Sequence, residues 1–277
     1  MSNLLDIDNL TVTFPTNNGP IDVVKGISLS LGRERLGIVG ESGSGKSMTG
    51  RAILKLIRSP GRVKADRLSF DGIDLLTRRE RDMRAIRGAR ISMVMQDPKF
   101  SLNPVMSVGD QIAEAIKTHQ RLSPSQVRAK TLAMLKSVRI EDPERVLGLY
   151  PHEVSGGMGQ RIMIAMMLVP EPDLLIADEP TSALDVSVQA QVLDIIDNLV
   201  TSKGMGLILI SHDLNLVASY CDRILVMRAG EIVEECAANK LHAAQHPYTK
   251  GLLASMPRID EDREWLPVFE RTSGSQT

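Results

Sequence analysis

Four short runs rich in Val, Ile and Leu along the chain each stop on residues able to do chemistry. Residues 36–39 lead to Gly40, 91–95 to Gln96, 174–177 to Asp178, and 207–210 to Ser211 and His212. Unbroken apolar runs of four or five residues suit strands covered on both faces, as in a parallel sheet. Sites in open α/β sheets gather at the carboxyl ends of such strands. A glycine/lysine turn, a glutamine, an acid pair and a histidine at four strand ends therefore predict one site.

Between these runs the pattern changes period. Ser123, Pro124 and Gln126 supply an N-cap, a first-turn proline and a capping-box partner, and Val127, Met134, Leu135 and Val138 then fall on one helical face. Residues 98–165 read as a helical subdomain inserted into an α/β core that spans 4–254. Beyond Asp185, the spacing of Val188, Val192, Ile195, Ile196 and Leu199 predicts an amphipathic helix closed by Gly204-Met-Gly206. Residues 223–227, Ala229-Gly230 and Ile232-Val233 read as strand, turn and strand. An antiparallel β region is expected at the N-terminus. Residues 255–277 form a tail, charged and weakly patterned from about Arg258.

Composition narrows the class. The 277 residues are 43% hydrophobic and 24% charged with net charge −1, ordinary for a globular protein and unlike an electrostatic nucleic-acid binder. No apolar stretch approaches the roughly 18 residues of a membrane span, and no secretory leader is evident at the N-terminus. Cys221 and Cys236 are expected to be reduced thiols. The 14 methionines read as core filling, with Met163, Met166 and Met167 in a buried helix.

The strand ends carry the chemistry. Gly40-Glu-Ser-Gly-Ser-Gly45-Lys46-Ser47 fits G-x-x-x-x-G-K-[ST], and Met48 follows it. Its glycines let backbone amides of Glu41, Ser42, Gly43 and Ser44 turn toward phosphate oxygens. Lys46 supplies charge to the β- and γ-phosphates, and Ser47 a hydroxyl ligand for Mg²⁺. Asp178 is placed to hold Mg²⁺ and Glu179 to act as general base on the attacking water. Alone, an Asp-Glu pair before Pro180 would read as a helix cap; with the phosphate loop it reads as catalytic. Gln96 is a candidate ligand for Mg²⁺ or the water, and His212 a candidate γ-phosphate contact. His119, His152, His242 and His246 lie in no comparable setting. Ser155-Gly156-Gly157 opens a second helix whose free N–H groups suit an anion. With the first loop already surrounding the phosphates, this second end is useful to a nucleotide held by a neighbouring subunit.

These residues together resemble the ATP-binding subunits of ABC transporters. Residues 40–47 resemble Walker A, Gln96 the Q-loop, 154–160 the signature, 174–179 Walker B, 182–185 with Asp185 the D-loop, and His212 the H-loop. Phe14 stands where the family stacks an aromatic ring on adenine. The resemblance implies a P-loop NTPase cassette with Mg-ATP sandwiched between two such subunits. It also implies two membrane permeases, an extracytoplasmic solute-binding protein, and a peripheral place on the cytoplasmic face of the inner membrane. Finer features are similar to bacterial peptide and nickel importers: Gln96-Asp-Pro98 with Ser101-Leu-Asn-Pro104, the Ser-Gly-Gly-Met signature, and His246-Pro-Tyr-Thr-Lys-Gly-Leu-Leu253. The signature departs from the common form at Met158 and Gly159. Only Cys236 lies where some relatives carry a cysteine cluster for iron–sulfur, so no cluster is expected. The permease groove is expected to include Phe100 and Leu102.

The leading reading is thus an importer ATPase for peptides, with a nickel or metal-chelate importer as the close alternative. A soluble ABC ATPase of translation or repair usually carries two cassettes or a long coiled coil. A non-hydrolysing sensor leaves Glu179 and His212 without a role, and a small-molecule kinase leaves residues 155–157 without one.

Overall fold

Alternation within the buried strands decides how the layers stack. In the computed structural model, which describes residues 3–95, 101–182 and 184–255, Leu207 and Leu209 belong to one core cluster and Ile208 and Ile210 to another. Leu175 and Ala177 likewise oppose Leu174 and Ile176. Successive strand side chains point to opposite faces, so a run that is apolar throughout needs cover on both.

The chain begins with β1 (Leu5–Thr16) and β2 (Gly19–Leu31), then β3 (Arg35–Val39) and α1 (Lys46–Ile53). Short strands β4 (Arg62–Lys64), β5 (Arg67–Phe70) and β6 (Ile73–Asp74) precede α2 (Glu80–Ile86) and β7 (Ile91–Val94). Helices α3 (Val108–His119), α4 (Pro124–Ser137), α5 (Pro143–Val146) and α6 (Gly156–Leu168) follow. The chain then alternates: β8 (Leu174–Asp178), α7 (Val186–Lys203), β9 (Gly206–Ser211), α8 (Leu214–Tyr220). It closes with β10 (Arg223–Arg228), β11 (Glu231–Ala237) and α9 (Pro247–Ala254).

The central sheet runs β11-β10-β3-β9-β8-β7, parallel except for the β10–β11 hairpin. Sequence order and spatial order differ, so β3 lies between β10 and β9 and its carboxyl end meets those of strands far along the chain. A second, antiparallel sheet runs β2-β1-β5-β6, with β4 also pairing β1. It shares with α1 and one face of the central sheet a core that includes Leu5, Leu31, Phe70 and Ile53. Helices α6, α7 and α8 contribute to the other core, which is continuous with α3 and α4.

Charges tie the two sheets at one edge. Asp173 accepts from Arg90 Nε and, at 3.1 Å, from Arg33; Arg90 also reaches Asp71 at 2.7 Å and lies over Phe70. Hydrogen bonds from Arg90 and Arg33 outweigh the partial burial of Asp173 and hold its carboxyl below the usual value.

Local signals account for the inserted helices. The Ser123 hydroxyl accepts from Gln126 N–H at 3.4 Å while the Gln126 side chain accepts from Ser123 N–H at 2.9 Å, the reciprocal box that starts α4. Val127, Met134, Leu135 and Val138 are all buried. On α6, Met163 is fully buried but Met166 and Met167 are half-buried, because that helix packs against β7 and α7 and leaves a flank less covered.

Candidate active site

The phosphate loop is held against neighbouring backbone. Gly40 has φ +153° and a Cβ there would lie 2.1 Å from the Met227 carbonyl oxygen. Gly45 has φ +101° and a Cβ there would lie 2.6 Å from the Val23 carbonyl oxygen. Both positions exclude a side chain by space as well as by conformation. From the β10–β11 turn, Gly230 N–H donates to the Ser44 carbonyl at 3.1 Å. Within the loop, buried Lys46 Nζ donates to the carbonyls of Gly40 (2.7 Å) and Glu41 (2.8 Å). The ammonium thus rests on its own loop.

Strand β8 brings Asp178 to that loop, where the Ser47 hydroxyl donates to its carboxylate at 2.7 Å. One residue on, Glu179 adopts φ +46° while its N–H donates to the Ile210 carbonyl at 2.9 Å. A left-handed non-glycine residue costs about 1–3 kcal/mol and persists only where its surroundings over-determine it. Here the turn sets the Glu179 carboxylate beside the end of β9, with His212 Nδ1 3.3 Å from Glu179 Oε1. Strand ends β3, β8 and β9 therefore converge as their sequence endings predicted.

Two glutamines fix the loop after Glu179. Buried Gln160 on α6 donates to the Pro180 carbonyl. Gln189 on α7 donates to the carbonyls of Thr181 (3.2 Å) and Leu184 (3.0 Å). Neither was singled out from sequence; for Gln160 the available signal was an amide just before the apolar run of residues 162–168 in the helix that carries the second glycine motif. The phenol of Tyr248 on α9 also reaches the phosphate loop, accepting from Glu41 N–H at 3.1 Å.

Electrostatics leave this cluster short of positive charge. Burial pushes the Lys46 ammonium below its ordinary value, against the pull of Glu179, Asp178 and Glu41. Burial lifts the Asp178 carboxyl, which the Ser47 hydrogen bond and the charge of Arg51 oppose and Glu179 reinforces. A triphosphate placed here adds negative charge beside two carboxylates, so the arrangement calls for a divalent cation. The donors on offer, a hydroxyl and a carboxylate, are hard oxygens that suit Mg²⁺. Among the described residues no cluster of three or more His, Cys, Asp or Glu forms a metal cage.

The other predicted residues fall in three places. Phe14 on β1 and Met48 on α1 line one groove of about 620 Å³ with Arg51, Ile57 and Arg58. Ser155 caps α6 by accepting from Met158 N–H at 3.3 Å, with Ser155 and Gly156 exposed. Asp185 is exposed and caps α7, accepting from Val188 N–H at 3.1 Å. Gln96 and Phe100 lie outside the described residues. Leu102, expected to contribute to the permease groove, is 6% exposed and part of the helical core. The side chain of Gln111 turns this segment inward, accepting from Asn103 N–H (2.7 Å) and donating to the Asn103 (3.1 Å) and Met106 (3.0 Å) carbonyls.

Residues 24–182 match the family described as ABC transporter. The dipeptide transport ATP-binding protein DppD of Escherichia coli (strain K12) is 48% identical over 265 residues, 95% of this chain and 81% of that protein. The chain belongs to the ABC transporter family. As an ABC cassette it is an ATP-binding and ATP-hydrolysing subunit. The oligopeptide transport ATP-binding protein OppD of Bacillus subtilis (strain 168) is 44% identical over 267 residues, 95% of this chain and 75% of OppD. Among solved structures, the ATP-binding cassette MJ0796, a dimer bound to ADP and Pi, superposes with TM-score 0.74 at 27% identity, covering 84% of this chain and 98% of that one. No helix among the described residues of the cassette is long and apolar enough to cross a membrane.

Proposed function

We propose that this cassette energises uptake of dipeptides or oligopeptides. In this reading it sits peripherally on the cytoplasmic face of the cell membrane beneath two permease subunits supplied by an extracytoplasmic binding protein. The observation that carries the ATPase part is the contact of Ser47 with Asp178 and of His212 with Glu179 at adjoining strand ends. The solute class rests on relatives at 44–48% identity named for dipeptide and oligopeptide transport.

In this reading Phe14 stacks on adenine, and residues 40–48 wrap the phosphates with backbone amides. Lys46 leaves the Gly40 and Glu41 carbonyls for the β- and γ-phosphate oxygens. Ser47 and Asp178 would hold Mg²⁺, with Gln96 as a further ligand, and the ion would supply positive charge against the phosphates. Glu179 takes a proton from the attacking water as its oxygen bonds to the γ-phosphorus. The bond to the β–γ bridging oxygen breaks, and that oxygen leaves with the electron pair on ADP. His212 holds Glu179 and the γ-phosphate in line. Ser155, Gly156 and Gly157, with Asp185, cover the γ-phosphate held by a facing cassette, identical or paralogous. Nucleotide binding then closes the pair, and hydrolysis releases it.

Reconstitution with its permeases in liposomes tests this reading. Binding protein loaded with di- or oligopeptide is expected to stimulate ATPase activity and drive peptide uptake. Stimulation by a metal-chelate-loaded binding protein alone would contradict the peptide assignment.

A further inference from the structure

The segment His246-Pro-Tyr-Thr lies beyond every nucleotide motif, yet the Tyr248 side chain reaches the phosphate loop. Pro247 opens α9, and His246 caps it, Nδ1 accepting from Tyr248 N–H at 3.2 Å. Glu234 on β11 anchors the entry, accepting from the N–H groups of Gln245 (2.5 Å) and His246 (3.3 Å). Tyr248 is thereby driven inward until 1% of it is exposed, with the Arg228 guanidinium 5.0 Å from its ring centroid. Its hydroxyl accepts from Glu41 N–H at 3.1 Å and is hydrogen-bonded with the Glu41 carboxylate as well.

A buried phenol with both hydrogen-bonding roles used by one loop residue is a tether. The loop it holds has three glycines at positive φ, at positions 40, 43 and 45. Such a segment loses much conformational freedom when it closes on a ligand. Fixing Glu41 in advance lowers that loss, and with it the cost of binding. The Ser44 carbonyl is held from the other side by Gly230 N–H. The loop is thus gripped by a β-turn and by a helix 207 residues further along the chain.

We infer that Tyr248 is a positioning residue for nucleotide binding, its hydroxyl holding the phosphate loop at Glu41 in the receptive shape. This rests on the proposed reading of residues 40–47 as the phosphate site.

Y248F keeps the ring, its burial and its contact with Arg228 and removes only the hydroxyl. Titration calorimetry on the full chain is expected to show ATP affinity weakened about 3- to 10-fold, the range of one net hydrogen bond. The nucleotide-free protein is expected to melt within about 2 °C of the parent, which is under roughly 1 kcal/mol for a chain of this size. L252A, on the same helix but without a contact to Glu41, is expected to lower Tm while keeping ATP affinity near parental. Parental affinity in Y248F overturns the inference. So does weakening in L252A equal to that in Y248F. K46A separates the two levels: if it binds ATP as the parent does, the phosphate-site reading itself falls. If K46A is defective while Y248F is parental, only the role of Tyr248 falls.

Discussion

Ser47 Oγ and Asp178 Oδ1 lie 2.7 Å apart, joined by a hydrogen bond between groups 131 residues apart in the chain. The helix after the phosphate loop and the last residue of β8 thus share one pair of oxygens. Burial lifts the Asp178 carboxyl well before any ligand is considered. A raised folded-state value means that this group's contribution to stability is complete below the ordinary carboxyl value, about 3.9, and falls as pH rises through the raised one. At neutral pH the charged form costs stability. D178N in a chelator is therefore expected to melt a few degrees above the parent at pH 7, at about 2–4 °C per kcal/mol. The gap is expected to narrow toward acid pH, and ATPase activity to be lost. A lower Tm for D178N in chelator would contradict this account.

Lys46 gives a complementary prediction. Its ammonium already has two carbonyl partners, so its removal deletes a charge-assisted phosphate contact without requiring a new fold. Such contacts are worth about 1.5–3 kcal/mol. K46A is expected to weaken ATP binding by roughly 10- to 100-fold and abolish turnover, measured by calorimetry and phosphate release. Normal turnover in K46A would place the phosphate site elsewhere.

The acid side of the stability profile is expected to track Asp173. Its carboxyl is held below the usual value by Arg90 and Arg33, against partial burial. The stability it contributes is present above about 3.9 and is lost as pH falls through the depressed folded value. D173N is expected to lower Tm at pH 7 and to converge with the parent below about pH 4. Equal Tm values at pH 7 would show that the inter-sheet clasp contributes nothing.

Thiol reactivity separates the two cysteines. Burial pushes the Cys221 thiol up to about 12, and it also raises that of half-buried Cys236. With a thiol reagent at pH 7.5, Cys236 is expected to react slowly in the native protein and Cys221 only on unfolding, read by mass spectrometry. Faster labelling of Cys221 would contradict the packing of α8 on β3.

The strand ends were legible because a doubly covered strand needs an unbroken apolar run, and such a run is local. The α4 start was legible for the same reason, since Ser123, Pro124 and Gln126 act within four residues. What escaped the sequence is what depends on distant partners. Nothing near Tyr248 announces that its hydroxyl reaches Glu41, and nothing near Gln160 that its amide reaches Pro180. The burial of Leu102 accompanies the bonds of Gln111 to Asn103 and Met106, contacts invisible to hydropathy. The positive φ of Glu179 goes with a bond to Ile210 on the neighbouring strand, and strand order is not written in any short pattern.

In the proposed reading hydrolysis turns on Glu179, and E179Q tests it directly. The amide keeps the size of the side chain but cannot take a proton from water. Mg-ATP incubated with the variant and then separated from free nucleotide is expected to be recovered as ATP, at parental affinity. Single-turnover hydrolysis is expected to be slowed by about 10²- to 10⁴-fold. Recovery of ADP at the parental rate would contradict the account, because another group would then be the base.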